Sequence, residues 1–364
     1  MTRITEAIAE PIEIPLRHVF ATAQDTAARR VSRLVRVRLE LDNGGHGVGE
    51  CVPVQYVTGE TQASALEVVA AALPALAGQS VDRPEQSLRA AEASVADRLG
   101  GKPMSEVAPS ARAAIEMALW DALCQDRRIH AWTLFGGARS EVVTDVTIPM
   151  TDTASDMACQ YAEHGFRCFK VKLGRGDPSH DLAVLRTIRN AVPEARFRLD
   201  ANQAFSADDA LEFLDQARRL GFNIECFEQP VARDHLDALD RVAQRSSAPV
   251  FADEAVRTPA DVYEVVSRTR AHGINVKLMK AGIRGALAEA SIARASGRKV
   301  MIGCMLETRR GIGWALALAA GTGMFDLYDL DSHMLLAQED DTPEDAWDSV
   351  AFAQEGPILR VSQR

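Results

Sequence analysis

The sequence predicts an α/β protein in which a (β/α)8-type barrel follows a smaller α+β unit. Three observations carry that prediction. From Val142 onward, short apolar runs alternate with helical stretches. Five of the runs end in charged groups: Lys170-Val171-Lys172, Asp200-Ala201-Asn202, Glu228-Gln229-Pro230, Asp253-Glu254 and Lys277-Leu278-Met279-Lys280. These groups recur every roughly 24–28 residues, the length of one strand, one helix and two short loops. Polar residues at successive strand ends are what the active face of a parallel barrel looks like in sequence. A doubly wound sheet, the competing architecture, would not place them at nearly every strand end.

Residues 1–130 form the first unit. Ile12–Leu16 and Leu34–Leu41 alternate like strands, Asn43-Gly44 marks a hairpin turn, and Gly47–Cys51 returns. The glycines at 47 and 49 lack dinucleotide-loop spacing and are not followed at once by a helix, so the hairpin is the better reading. Polar loops at Ala21–Thr26 and Tyr56–Thr61 flank it, and helices follow at about 62–76 and 110–125. The boundary falls near Ser140. The barrel occupies 131–338, with strands at about 143–149, 167–172, 196–200, 223–228, 249–253, 273–277, 299–304 and 325–330. Helices lie between them, for example Asp181–Asn190, Ser206–Leu220, Pro259–Ala271 and Ala286–Ala295, with Pro259 suited to a first helical turn. Residues 339–364 begin acidic and irregular, and Ile358–Val361 is expected to return to the N-terminal unit as a strand.

Composition bounds the function. The 364 residues are 47% hydrophobic and 25% charged, ordinary for a globular protein with an autonomous core. A net charge of −10 without like-charge blocks argues against nucleic acid or anionic membrane as the main partner. Six cysteines show no Cys-x-x-Cys pair and the eight histidines no metal-ligand spacing. Buried free thiols, no apolar signal core and no membrane-length run lead to the expectation of a cytoplasmic protein.

The strand ends define the chemistry. Asp200, Glu228 and Asp253 on consecutive strands suit Mg²⁺ or Mn²⁺, hard cations that take oxygen ligands. Singly, each acid would pass as a salt-bridge partner or helix cap; three at this spacing point to a metal. Lys170 and Lys172 share one side of a strand and are expected to lower each other's pKa, while Lys277 approaches from the opposite wall. The plain alternative is that these lysines neutralise the acids, but that does not explain their presence on both sides. Two bases across a metal-bound carboxylate suit removal of an α-proton on one face and its return on the other. Asp329-Leu330-Asp331 puts two more carboxylates on one side of the last strand, and a substrate ammonium is the natural cation for them.

The motif set resembles the enolase superfamily, in its muconate-lactonizing-enzyme subgroup. The helix Ala113–Asp121 looks like the end of that family's capping domain, and Leu134-Phe135-Gly136-Gly137 like its linker. Gly303–Glu307 and Asp329-x-Asp331 look like the subgroup's dipeptide epimerases. The resemblance implies a (β/α)7β barrel capped by the N-terminal region and the tail, with Mg²⁺ on Asp200, Glu228 and Asp253. It implies Lys172, tuned by Lys170, and Lys277 as acid/base pair, and Asp329 and Asp331 as ammonium site. Thr147, Met305 and Glu307 join the substrate-binding set, and Asn202, Glu254 and Lys280 take auxiliary places. The implied reaction is epimerisation at the α-carbon of the second residue of an L,L-dipeptide, by a homo-oligomer.

Two departures stand out. Lys280-Ala281-Gly282-Ile283 has one glycine where the subgroup often has two. Gln24 or Asp25 aligns where members acting on Ala-Glu carry an arginine. An acid there makes Ala-Glu a poor expected substrate and a cationic or polar second residue the better one. The rivals are another enzyme of the subgroup (muconate cycloisomerase, o-succinylbenzoate synthase or N-acylamino acid racemase) or a non-catalytic binding barrel. Activity on N-acylated amino acids without activity on free dipeptides would favour the first. The intact lysines and acids argue against the second, and no repeat surface supports a structural protein.

Overall fold

The computed structural model describes residues 1–25, 27–174, 176, 178–337 and 347–362. The acidic stretch expected to be irregular after Gln338 falls largely outside them. Strands β1 (Ile4–Phe20), β2 (Arg29–Leu41) and β3 (His46–Cys51) form an antiparallel sheet in that order. The Asn43-Gly44 turn closes the β2–β3 hairpin, Leu41 N–H bonding Gly45 O at 2.9 Å. The helix Pro109–Arg127 lies against β3 so closely that a Cβ at Gly47 or Gly49 would stand 2.4 Å from Ala118 O or 2.1 Å from Ala114 O. Both glycines therefore serve helix–sheet contact.

After β4 (Glu141–Val143) come the barrel strands β5 (Val146–Ile148), β6 (Cys168–Lys172), β7 (Arg196–Asp200), β8 (Asn223–Glu228), β9 (Val250–Ala252), β10 (Gly273–Lys277), β11 (Lys299–Gly303) and β12 (Leu327–Tyr328). They hydrogen-bond in sequence order, and the ladders are parallel. Among the described residues no ladder joins β12 to β5. Instead Asp145 N–H reaches Tyr328 O at 3.3 Å and Leu330 N–H reaches Thr144 Oγ1 at 2.8 Å. Arg198 closes the seam from inside, donating to Asp145 Oδ2 at 2.9 Å and Tyr328 O at 2.7 Å.

The strands are buried on both faces, which is why their sequences run apolar without clean alternation. Phe169, Val171, Phe197, Leu199 and Phe227 join the main core, while Cys226, Phe251 and Met301 form a small separate cluster. The register then fixes the polar rim: Thr147 pairs with Lys170, Lys172 with Asp200, and Asp200 with Glu228. A register shift between Phe197 and Arg198 lets β8 carry one extra residue, and that shift is what sets Asp200 opposite Glu228.

The tail departs from expectation. β13 (Phe352–Glu355) and β14 (Ile358–Val361) form a second small sheet with β4, so β14 does not join the N-terminal sheet. The tail reaches the first unit through other groups: the Ser349 hydroxyl donates to Asp121, and His130 Nε2 lies 3.1 Å from Ala351 O. Apolar Ile358 and Leu359 read equally well beside either sheet; the short β4, with free edges, accepts them.

The two units are fastened at several points. Glu50 accepts the Thr308 hydroxyl at 2.7 Å, Ser32 donates to Leu306 O at 2.6 Å, and Glu116 accepts Ile283 N–H at 2.9 Å and Arg284 N–H at 3.1 Å. The last contact explains the single glycine after Lys280. Gly282 has φ +68°, and a Cβ there would lie 2.1 Å from Glu116 Oε2. Ile283 needs no such freedom; what matters at that position is its N–H. Among the described residues no helix is long and apolar enough to cross a membrane.

Candidate active site

Carboxylate oxygens of Asp200, Glu228 and Asp253 lie within 4.8 Å of one another at the ends of β7, β8 and β9. All three side chains are buried. Burial and the neighbouring Asp200 push Glu228 up to about 8. Against that same burial cost, Lys172 and Lys170 bring Asp200 down to about 2, and Lys277 and Lys280 hold Asp253 well below the carboxylate range. Three converging buried carboxylates with no histidine or thiol among them fit a hard divalent cation.

Lysines hold these acids from two sides. On β6, Lys170 Nζ lies 2.7 Å from Asp329 Oδ2, 2.9 Å from Glu228 Oε2 and 3.2 Å from Asp200 Oδ2, and Lys172 Nζ lies 2.6 Å from Asp200 Oδ2. At the end of β10, Lys277 Nζ lies 2.7 Å from Asp253 Oδ2. Lys280 donates to Asp253 Oδ1 at 2.6 Å and to the carbonyls of Asp253 and Asn275, both at 2.8 Å. The expected lowering of Lys172 by Lys170 is present, but it does not set the net pKa of these lysines. Burial lowers Lys172, and Lys170 and Lys277 lower it further, but Asp200 outweighs them and its pKa is raised. Lys277 and Lys170 are raised against their own burial by Asp253 and by Asp329, respectively. The carboxylates are the lysines' counter-ions here, so attraction wins over like-charge repulsion.

Lys170, Lys172, Lys277, Asp253, Asn202, Thr147, Met305, Asp329 and Asp331 all line one cavity, roofed by the N-terminal unit; its space, open mouth included, is about 540 Å³. Thr147 N–H donates to Asp331 Oδ2 at 2.5 Å. Burial and then Asp329 push Asp331 up to about 6. Asn202 and Glu254 form a supporting contact, Nδ2 to Oε1 at 3.1 Å.

Three residues expected to bind substrate sit elsewhere. Glu307 does not line the cavity; it is buried and accepts Met305 N–H at 2.8 Å, holding the loop that presents Met305. Gln24 crosses to the barrel, donating to Asn202 O at 2.6 Å. Asp25 is engaged by Arg29 at 2.6 and 2.9 Å, and by Thr22 N–H at 2.9 Å. The charged group of this loop that does line the cavity is Arg29. The expectation of an acidic wall fails because the acid is internally paired.

Other contributors went unread in the sequence. Asn275 donates to Glu228 Oε1 at 2.8 Å. Gln229 accepts Asp253 N–H at 2.9 Å and Ala255 N–H at 3.1 Å. Each lies within a motif or strand already marked as functional, two residues before Lys277 and one after Glu228, which is the signal that could have found them.

The chain's two parts match two domain families. Residues 4–136 match the mandelate racemase / muconate lactonizing enzyme N-terminal domain, and residues 152–353 the enolase C-terminal domain-like family. The chain belongs to the enolase superfamily. Within that superfamily it is similar to an L-Ala-D/L-Glu epimerase of Thermotoga maritima, 35% identical over 336 residues, covering 92% of each chain. It is also similar to an aromatic dipeptide epimerase of Herpetosiphon aurantiacus, 34% identical over 339 residues, covering 93% of this chain and 92% of that one. Among solved structures of the superfamily, a dipeptide epimerase of Enterococcus faecalis complexed with Mg and L-Leu-L-Tyr superposes with TM-score 0.87 at 30% identity, covering 99% of this chain and 97% of that one.

Proposed function

We propose that this enolase-superfamily chain is a Mg²⁺-dependent dipeptide epimerase, with Mn²⁺ as a substitute of the same oxygen preference. One observation carries the reading: Lys172 and Lys277 line one cavity from β6 and β10, with β7, β8 and β9 between them. A dipeptide lying between these strands presents its α-carbon to an amine on each face. One lysine removes the α-proton, and the other, protonated, delivers a proton to the opposite face, inverting the centre. Asp200, Glu228 and Asp253 would hold the metal, which would supply positive charge to stabilise the substrate carboxylate as the α-proton leaves. Asp329 and Asp331, on the wall between β12 and β5, receive the substrate ammonium, a group that N-acylated substrates lack. Lys170 bridges Asp329, Glu228 and Asp200, holding both ends of the site at a fixed separation. Relatives with dipeptide-epimerase names support the substrate class. A cytoplasmic location and a homo-oligomeric state belong to the same reading; light scattering of the purified protein checks the latter.

The test is a dipeptide panel incubated with the protein and Mg²⁺ in deuterated water. Deuterium at the second residue's α-carbon with appearance of the epimer is expected, and epimer formation falls by about 10²-fold or more in Lys172→Ala and in Lys277→Ala. Epimerisation at a near-wild-type rate in either variant, or confined to N-acylated amino acids, removes the reading.

A further inference from the structure

Asp25, Arg29, Thr22 and Tyr56 form a closed ring of polar groups in the roof of the cavity. Asp25 Oδ1 accepts Arg29 Nε at 2.9 Å and Nη2 at 2.6 Å, and Oδ2 accepts Thr22 N–H at 2.9 Å and its hydroxyl at 3.0 Å. Tyr56 OH accepts Arg29 Nη2 at 3.1 Å and stands 3.2 Å from Thr22 Oγ1. The ring is well shielded, with the Arg29 and Asp25 side chains 23% and 8% exposed. Arg29, Thr22 and Tyr56 line the active-site cavity; Asp25 lies behind them in the adjoining cleft.

The ring's position fixes which part of a ligand it meets. Its loop is tied to the end of β7 through Gln24 and Asn202 O at 2.6 Å, and Tyr56 O receives Arg233, beyond β8, at 3.4 Å. β7 and β8 supply Asp200 and Glu228, the side of the site assigned to the substrate's terminal carboxylate. Asp329 and Asp331 follow β12, across the barrel. Resting on the function proposed above, the ring therefore faces the side chain of the second residue.

We propose that the Arg29–Asp25 pair selects dipeptides whose second residue has an uncharged side chain. A carboxylate brought to Arg29 comes within reach of the Asp25 carboxylate behind it, and its attraction is cancelled in a site shielded from water. An ammonium or guanidinium meets Arg29 first and is repelled. A neutral side chain meets neither penalty, and Phe20, Val54, Val57 and Leu306 give it apolar surface beside the ring. The selection works by denying either sign a net attraction rather than by attracting one.

Removing one charge at a time unbalances the pair in opposite directions. Kinetics are measured for dipeptides sharing one first residue, with Leu, Met, Glu or Lys second. The wild-type protein is expected to favour Leu and Met. Asp25→Asn, which keeps the shape of the side chain, raises the Glu-to-Leu ratio of kcat/KM about tenfold or more, and Arg29→Gln raises the Lys-to-Leu ratio similarly. Thermal unfolding of each variant confirms that the ratios come from folded protein. Wild-type turnover of Glu or Lys second residues matching that of Leu overturns the proposal whatever the variants do. So do ratios unmoved in a folded variant. Absence of α-proton exchange with every dipeptide overturns the proposed reaction itself, and the pair's role with it.

Discussion

The lysine pair at β6 and the lysine pair at β10 meet the same cluster of acids, yet each pair divides its work unevenly. Among the described residues Lys172 and Lys277 each touch a single carboxylate, and both line the cavity. Lys170 and Lys280 each touch three acceptors. A lysine with one partner has donors left for a substrate and can lose its proton without orphaning a network; a lysine with three partners cannot. The division teaches that sequence order within the two motifs does not assign the roles: the carrier is second in Lys170-x-Lys172 and first in Lys277-x-x-Lys280. The walls also differ. Lys170 touches Asp329 and so spans the site, whereas Lys280, wholly buried, donates to Asp253 and to the carbonyls of Asp253 and Asn275.

The sharpest break of this comparison is loss of chemistry. Lys172→Ala and Lys277→Ala are each expected to lower the epimerisation rate by about 10²–10⁴-fold, read by chiral chromatography of product. Stability should then separate the saturated lysine from the carrier. Lys280→Met leaves the Asp253 carboxylate and two carbonyls short of a donor, costing about 3–5 kcal/mol in chemical denaturation. Lys172→Met costs clearly less, since Asp200 keeps Lys170 and Asn202 N–H.

Smaller effects follow on the far wall and behind β10. Asp331 titrates near 6 and must be ionised to attract an ammonium, so KM for dipeptides should rise as pH falls through about 6. In Asp331→Asn that limb of the KM profile disappears and KM is high throughout. Glu289 is buried, with both carboxylate oxygens lacking hydrogen bonds among the described residues, and burial raises its pKa from 4.5 to about 8, with Lys280 opposing. The unfolded chain releases this proton near 4.5 and the folded chain near 8, so the folded state loses stability as pH rises between them. Glu289→Met should therefore stabilise by about 1–3 kcal/mol at pH 8 and by less toward pH 5, measured as a shift in unfolding midpoint.

The catalytic face was legible because strands alternate with period two and the barrel repeats a strand–helix length. Lys170 and Lys172 could be set on one side, and Asp200, Glu228 and Asp253 on neighbouring strands, without coordinates. What escaped depends on contacts that no period encodes. The Asp25–Arg29 pairing sits in an irregular loop, where direction follows from turn geometry, so the acid looked available when it was not. The register shift between β7 and β8 leaves no mark in composition. The partner of β14 was ambiguous because its apolar residues suit any free edge.

Gly282 and Glu116 reach beyond the site. The carboxylate that caps the backbone at Ile283 and Arg284 sits on the N-terminal unit's longest helix, while the kink it caps directly follows Lys280. Neither half completes that arrangement by itself: a barrel alone would leave two amides without their acceptor, and the helix alone would leave Glu116 with Arg112 alone of its partners among the described residues. The two units should therefore melt in one cooperative transition, and a barrel cut free of its first 130 residues should be an incomplete folding unit, prone to proteolysis near Gly282.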